Sequence, residues 1–477
     1  MSQLYVVVLA VIVAVLLSVA IFRAARVKTK ADYLVAGRSL PAPVLVLTLL
    51  TSWIGAGSLF AGAENAYRNG FAALWQAAGG WAGLLLIYFI APRARRFAQF
   101  TLPDLLEARY NQTARVLGTF AILFAYVGIT SYQFKGGGNV LHLIFPDYVT
   151  PELGTYIIAV FVIVTTALAG MSSVAYMDVA IGSLVTVICI ASIPYLLHQA
   201  GGWSGLHAAL PATHFQILGN LTFTRAMEFL VPTMLLMLGN QVMYQKFFSA
   251  KSERDARLSV VGWILGTILL ETVIVAIAVI GSALFPSGEV ARQPYEIIPY
   301  TARHGLPALM GALLLGAVFA KVISTASNYL FSPATNLIND VFVRYMAPNA
   351  SNKRVLIVSR LAVVLLGCWA LYQAIYAQSI LEKMLWAYTI YSAALTPVVL
   401  AAFYSKRVTA WGAVAAIAAG TAVTLAWDIP GVKSIFPPIL AQRDAIFPAL
   451  FVAVAAMIIV SFFTPKPTPH QLAQVAS

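Results

Sequence analysis

Apolar runs about twenty residues long recur along this chain from residue 4 to residue 463, and they leave few folds open. Crossing the hydrocarbon core of a bilayer takes about 20 helical residues. Thirteen segments reach that length: 4–22, 42–66, 71–91, 115–143, 151–170, 175–197, 225–246, 258–284, 306–330, 354–377, 381–403, 409–427 and 446–463. Inside lipid the backbone has no water to bond, so only helices and closed barrels span it. Barrel strands are shorter and alternate polar with apolar residues, unlike these runs. The pattern predicts an all-α polytopic membrane protein with about thirteen transmembrane helices.

The composition agrees. The chain is 60% hydrophobic and 10% charged, whereas soluble domains carry roughly 25% charged residues. A net charge of +13 would suggest nucleic acid in a soluble protein. Here it follows from basic residues collecting in cytoplasmic loops, so no nucleic-acid partner is expected. Arg23, Arg26, Lys28, Lys30 and Arg38 follow the first run, and Arg93, Arg95 and Arg96 the third. Lys246, Lys251, Arg254 and Arg257 follow the seventh, and Lys406 and Arg407 the eleventh. This alternation sets the N-terminus outside and the C-terminus inside the cytoplasmic membrane. The first run lacks preceding basic residues and a small-residue cleavage site, so it reads as a retained helix. Cys189 and Cys368 lie in different apolar runs and read as small hydrophobes. His207 and His214 lack a carboxylate partner and read as surface residues of an outer loop.

Two runs carry residues that loosen helices. TSWIGAGSLFAGAEN contains Gly55, Gly57 and Gly62, and FLVPTMLLMLGNQVMYQK contains Pro232 and Gly239. They are the second and seventh runs, five helices apart. An odd offset of five points the two halves in opposite directions, and paired interrupted helices form midplane sites in transporters. The bland alternative is that these glycines only allow close helix packing.

Lys321 is the costliest residue in the chain. An ammonium in an apolar span costs about 2.5–3.5 kcal/mol on insertion scales. Ser324, Thr325 and Asn328 follow at offsets that share its helix face. An ammonium, two hydroxyls and an amide thus point at one internal spot.

Six segments in order resemble the sodium/solute symporter family. They are ADYLVAGRSLP (31–41), TLPDLLEARYN (101–111), GMSSVAYMD ending at Asp178, GNQVMYQKFFSAKSERDAR (239–257), ISTASNYLFSPATNLINDV (323–341) and YSKRVTAWGA (404–413). Lys246 stands where the family usually has arginine. The resemblance implies a LeuT-like 5+5 inverted repeat, with an extra helix and basic loop over 1–40, repeats over 41–200 and 201–405, and two further helices and a tail over 406–477. It implies a secondary active transporter that moves a small polar organic solute by alternating access, with Na+ as coupling ion, no cofactor, and a monomer in the lipid bilayer.

The same resemblance implies the site residues. The principal sodium position matches the carbonyls of Thr51, Ile54 and Lys321 and the hydroxyls of Ser324 and Thr325. A second sodium position matches Asp178, Ser324, Ser327 and Asn328. Asp178 also has a purely dipolar reading near its helix start. Three readings stay open at Lys321. Sodium binds as in the family; or the Lys321 ammonium, partnered by Asp178, replaces it with proton coupling; or it does so in an uncoupled carrier or exchanger. For the solute, the candidates are Ser58, Glu64, Gln76, Asn240 and Gln241. Leu236 and Met237 occupy the positions of an aromatic sugar gate, which disfavours a stacked sugar. Lys135 reads as an anchor for a carboxylate or another anion, or else as snorkelling to the interface or pairing with Glu64. Glu271, alone in an apolar helix, could pair with Arg225 or Lys135 or be protonated. Asp340 reads as cytoplasmic and structural. The alternatives of a substrate-sensing receptor, a membrane enzyme or a channel lack an appended signalling domain, a catalytic motif and an open-pore pattern respectively.

Overall fold

Ten helical stretches among the described residues are long and apolar enough to cross a membrane, and three further apolar helices are shorter. The structure, a computed structural model, describes residues 2–24, 29, 32, 35–97, 101–168, 171–376, 379–427, 429 and 431–476. Arg26, Lys28, Lys30 and Gly170 of the sequence argument lie outside these residues. The principal helices are α1 (Ser2–Ala24), α2 (Ala42–Trp53), α3 (Ala63–Asn69), α4 (Leu74–Phe97), α5 (Leu102–Arg109), α6 (Gln112–Ile144), α7 (Pro151–Leu168) and α8 (Met171–Gln199). They continue as α9 (Phe223–Gly239), α10 (Gln241–Phe248), α11 (Glu253–Leu284), α12 (Ala308–Asn336), α13 (Asn352–Tyr376), α14 (Ile380–Ala394), α15 (Thr396–Tyr404), α16 (Ala410–Ala426) and α17 (Ile446–Phe463).

Both glycine- and proline-marked runs are broken. After α2 the chain extends at Ile54 (φ −79°, ψ 115°), then re-enters helix through a wide turn over Gly57–Gly62 into α3. After α9 it extends at Asn240 (φ −63°, ψ 113°) before α10. A break strands backbone N–H groups that must find partners away from water. At the first break, Gln133 Oε1 of α6 accepts from Ala56 N–H at 2.8 Å. At the second, the Asn240 side chain accepts from Val242 N–H at 3.0 Å. Gly55 also has a steric reason: a Cβ there would lie 2.7 Å from Thr325 Cγ2 and 2.9 Å from Gln133 Nε2. Only glycine lets α12 and α6 approach the break this closely.

A charge network closes one end of the bundle. Arg115 donates to Asp104 and Asp340 at 2.6 Å each and to Glu107, and Arg344 donates to Glu107 at 2.6 Å. Thr101 donates to Asp340 Oδ1 at 2.9 Å and caps α5 through a reciprocal bond with Asp104. Asp340 is fully buried. The network ties the loop before α6 to the end of α12, joining the two halves of the chain.

Candidate functional site

Around the first break, α2, α8, α10 and α12 converge on Asp178. Its carboxylate is fully buried. Thr48 donates its hydroxyl to Oδ2 at 2.5 Å, Ser324 donates to Oδ1, and Asn328 Nδ2 approaches both oxygens at 3.3 and 3.4 Å. The cation beside it is Lys246, whose ammonium stands 3.2 Å from Oδ2. Lys246 also donates to the Thr48 carbonyl at 2.8 Å, to Thr48 Oγ1 at 2.7 Å and to Ser52 Oγ.

This corrects the sequence reading of Lys246 as one of the basic loop residues. It is fully buried, because the bend at Asn240 turns α10 back into the bundle. The ion pair also differs from the one expected for Lys321. That ammonium, likewise fully buried, donates to Leu50 O at 3.4 Å. Two lysines are therefore buried in the protein interior, and Lys246 is the one that pairs with Asp178.

Three of the five oxygens expected to hold the principal sodium ion lie close to one another. Thr325 Oγ1 lies 3.2 Å from Thr51 O and 3.1 Å from Ile54 O, and its single proton bridges the two carbonyls. Thr51 donates its own hydroxyl to the Asp178 carbonyl at 3.1 Å. Ser324 sits one residue before Thr325, and Lys321 one turn before that. Ser327 is buried with its hydroxyl lacking a hydrogen bond among the described residues. Oxygens from a broken helix and two adjacent hydroxyls suit a small hard cation.

The residues expected to meet the solute are more dispersed. Gln76 is buried, with Nε2 donating to Met384 Sδ at 3.7 Å and Oε1 without a hydrogen bond among the described residues. Ser58 is partly buried just past the break, and Lys135 is partly buried on α6. Glu64 pairs with Arg68 at 3.1 Å. Asn240 is held by tyrosines: Tyr126 donates to Oδ1 at 2.8 Å, and Nδ2 donates to Tyr329 OH at 2.9 Å. Gln241 Oε1 accepts from Leu102 N–H at 2.5 Å, which ties the second break to α5. The side chain of Asn240 and Gln241 Oε1 thus serve the framework around the break, while Gln241 Nε2 is buried without a hydrogen bond among the described residues.

Several residues of the site escaped the sequence reading. Thr48 and Ser52 lie one turn apart on α2, a polar stripe legible at helical spacing in an apolar run. Gln133 gave the signal of an amide in an apolar helix. Trp53 and Trp81 gave none, since tryptophan suits a core, a membrane interface or a site equally well.

Comparison with known proteins places the chain in a family. A model of the sodium:solute symporter family matches residues 33–420. The osmoregulated proline transporter OpuE of Bacillus subtilis (strain 168) is 24% identical over 455 residues, covering 91% of this chain and 90% of its own. A sodium/proline symporter of Staphylococcus aureus is 26% identical over 463 residues, covering 91% and 88%. The structure of a Na+-coupled sialic acid symporter in its substrate-bound outward-open state superposes with a TM-score of 0.81, at 17% identity, over 98% of this chain and 99% of that one. The fold is the LeuT-like one.

Proposed function

The chain belongs to the sodium:solute symporter family and is a secondary active transporter, and from that premise we propose that it couples inward movement of Na+ to uptake of a small polar organic solute across the cytoplasmic membrane, with its N-terminus outside and C-terminus inside. The observation that carries the sodium reading is the approach of Thr325 Oγ1 to Thr51 O and Ile54 O at 3.2 and 3.1 Å. With Ser324 Oγ and the Lys321 carbonyl, these oxygens form the cation site. A sodium ion there displaces the Thr325 proton from the two carbonyls and takes all three oxygens as ligands. Na+ binding then pins the first broken helix to α12 and favours the conformation open to the solute.

The relatives carry proline, so amino acids are the first solutes to test. Ser58 and Gln76 are proposed to contact the solute from the first half of the chain. Family membership and the Na+-coupled structural neighbour weigh against a carrier in which Lys321 stands in for sodium. The test is uptake of labelled L-proline and other amino acids into proteoliposomes, with an inward sodium gradient or choline in its place. Uptake that rises with the sodium gradient, and falls in Thr325→Ala and Ser324→Ala, supports the reading. Uptake indifferent to sodium refutes it.

A further inference from the structure

Glu271 lies in the interior of α11 and is 6% exposed. Carboxylates in membrane interiors are costly and mark functional positions. Its Oε1 accepts from Trp53 Nε1 at 2.9 Å and its Oε2 from Trp81 Nε1 at 3.0 Å. Both donors are neutral. Arg225, one cation the sequence offered it, is bound instead to Glu228 at 2.8 Å and Asp444 at 2.5 Å.

The surroundings of this carboxylate lead back to the first break. Trp53 stacks on Tyr388 with ring centroids 6.3 Å apart. The Tyr388 hydroxyl and Met384 Sδ both lie 3.1 Å from where a Cβ on Gly57 would stand. Met384 in turn receives Gln76 Nε2, and Gln76 Oε1 is buried without a donor among the described residues. Contacts therefore run from Gln76 through Met384, Gly57 and Tyr388 to Trp53 and Glu271. Along them stand, among the described residues, a carboxylate with neutral donors, an amide oxygen with none, and two aromatic rings. Carboxylates make their strongest hydrogen bonds with cationic donors, and aromatic faces attract cations. An anionic ligand group would add a second acid here, whereas a cationic nitrogen would give the Glu271 carboxyl a charged donor in place of neutral ones.

We propose that Glu271, with Gln76 Oε1 and the rings of Trp53 and Tyr388, recognises a positively charged nitrogen on the transported solute. The assignment rests on the transporter reading above for the presence of a solute, but binding tests it separately. The probes are matched triplets: L-proline, L-proline methyl ester and N-acetyl-L-proline, and the same three forms of the other amino acids. Each is titrated against the purified full-length protein by thermal shift in detergent. The free amine and the ester keep the cationic nitrogen, while acetylation abolishes it. At least one amine and its ester should bind, with the acetylated form weaker by about tenfold or more. Glu271→Gln should bring amine and acetylated forms to similar affinity while preserving size. If that variant does not fold, the wild-type comparison decides alone. Acetylated forms binding as tightly as amines, no amine binding at all, or unchanged amine affinity in Glu271→Gln each overturns the proposal. Amines that bind but are never accumulated by proteoliposomes would instead refute the sodium-coupled transport reading and leave the nitrogen site standing.

Discussion

Replacing Lys246 with methionine removes the only ion-pair partner within 4 Å of Asp178 among the described residues. At 3.2 Å and an effective dielectric of about 20, the lost attraction is about 5 kcal/mol. Part of that is offset by no longer burying an ammonium, so breaking such a pair costs about 3–5 kcal/mol overall, chiefly through the carboxylate left behind. Thr48, Ser324 and Asn328 still donate to Asp178, which places the expected loss toward the lower figure. In sodium-free buffer, Lys246→Met should therefore unfold well below the wild type. Lys246→Met with Asp178→Asn should recover most of the loss, because the double variant leaves no buried unpaired charge. Sodium should stabilise the single variant more than the wild type, since the vacated position beside Asp178 suits a monovalent cation. A hundredfold excess over its dissociation constant would return about 2.7 kcal/mol. The assay is thermal or denaturant unfolding in detergent, in choline and in sodium. If Lys246→Met in choline lies within about 0.5 kcal/mol of the wild type, the size of an ordinary surface substitution, the ion pair does not have the role assigned to it.

Other consequences can be checked in the same preparations. Gly55→Ala would drive a methyl group to 2.7 Å from Thr325 Cγ2, costing about 1–3 kcal/mol and abolishing sodium-dependent stabilisation; Thr325→Ser, which removes Cγ2, should restore part of the stability. Arg115→Ala leaves Asp340 and Asp104 facing each other without their shared cation, so unfolding should be easier by about 3–5 kcal/mol and cysteines placed near this end should label faster. Glu107 gives the pH dependence. Burial pushes its carboxyl up, but hydrogen bonds and charge attraction from Arg115 and Arg344 outweigh this and hold it below the usual range. A carboxyl depressed on folding stabilises above its unfolded value, about 4.3, and that contribution is lost as pH falls through the folded value. Unfolding midpoints should therefore fall on acidification below about pH 4, and Glu107→Gln should flatten that limb; an unchanged acid limb in the variant would refute the assignment.

Much of the architecture was legible in the chain alone. Apolar runs of bilayer length predicted helices, because no other open structure satisfies the backbone in lipid. Gly55, Gly57 and Gly62, and Pro232 with Gly239, marked both breaks. Ser324 and Thr325 were legible as site candidates because helical spacing puts them on one face and the motif gives them an address. The reading failed where position along the chain stood in for position in space. Lys246 counted as a loop residue because it trails an apolar run and precedes other basic residues. In the fold it is buried, since Asn240 bends the chain and sends α10 inward.

Spacing within a helix determined which side chains share a face, and composition determined which faces avoid water. Neither could say which faces meet. Asp178 takes its cation from 68 positions away, and Glu271 takes its indole donors from 218 and 190 positions away. Those partnerships depend on how broken and unbroken helices cross. In the membrane interior, where a buried charge gains most from whatever group lies within a few ångströms, that crossing alone decided that Lys246 rather than Lys321 stands against Asp178, and that Glu271 faces two tryptophans rather than Arg225.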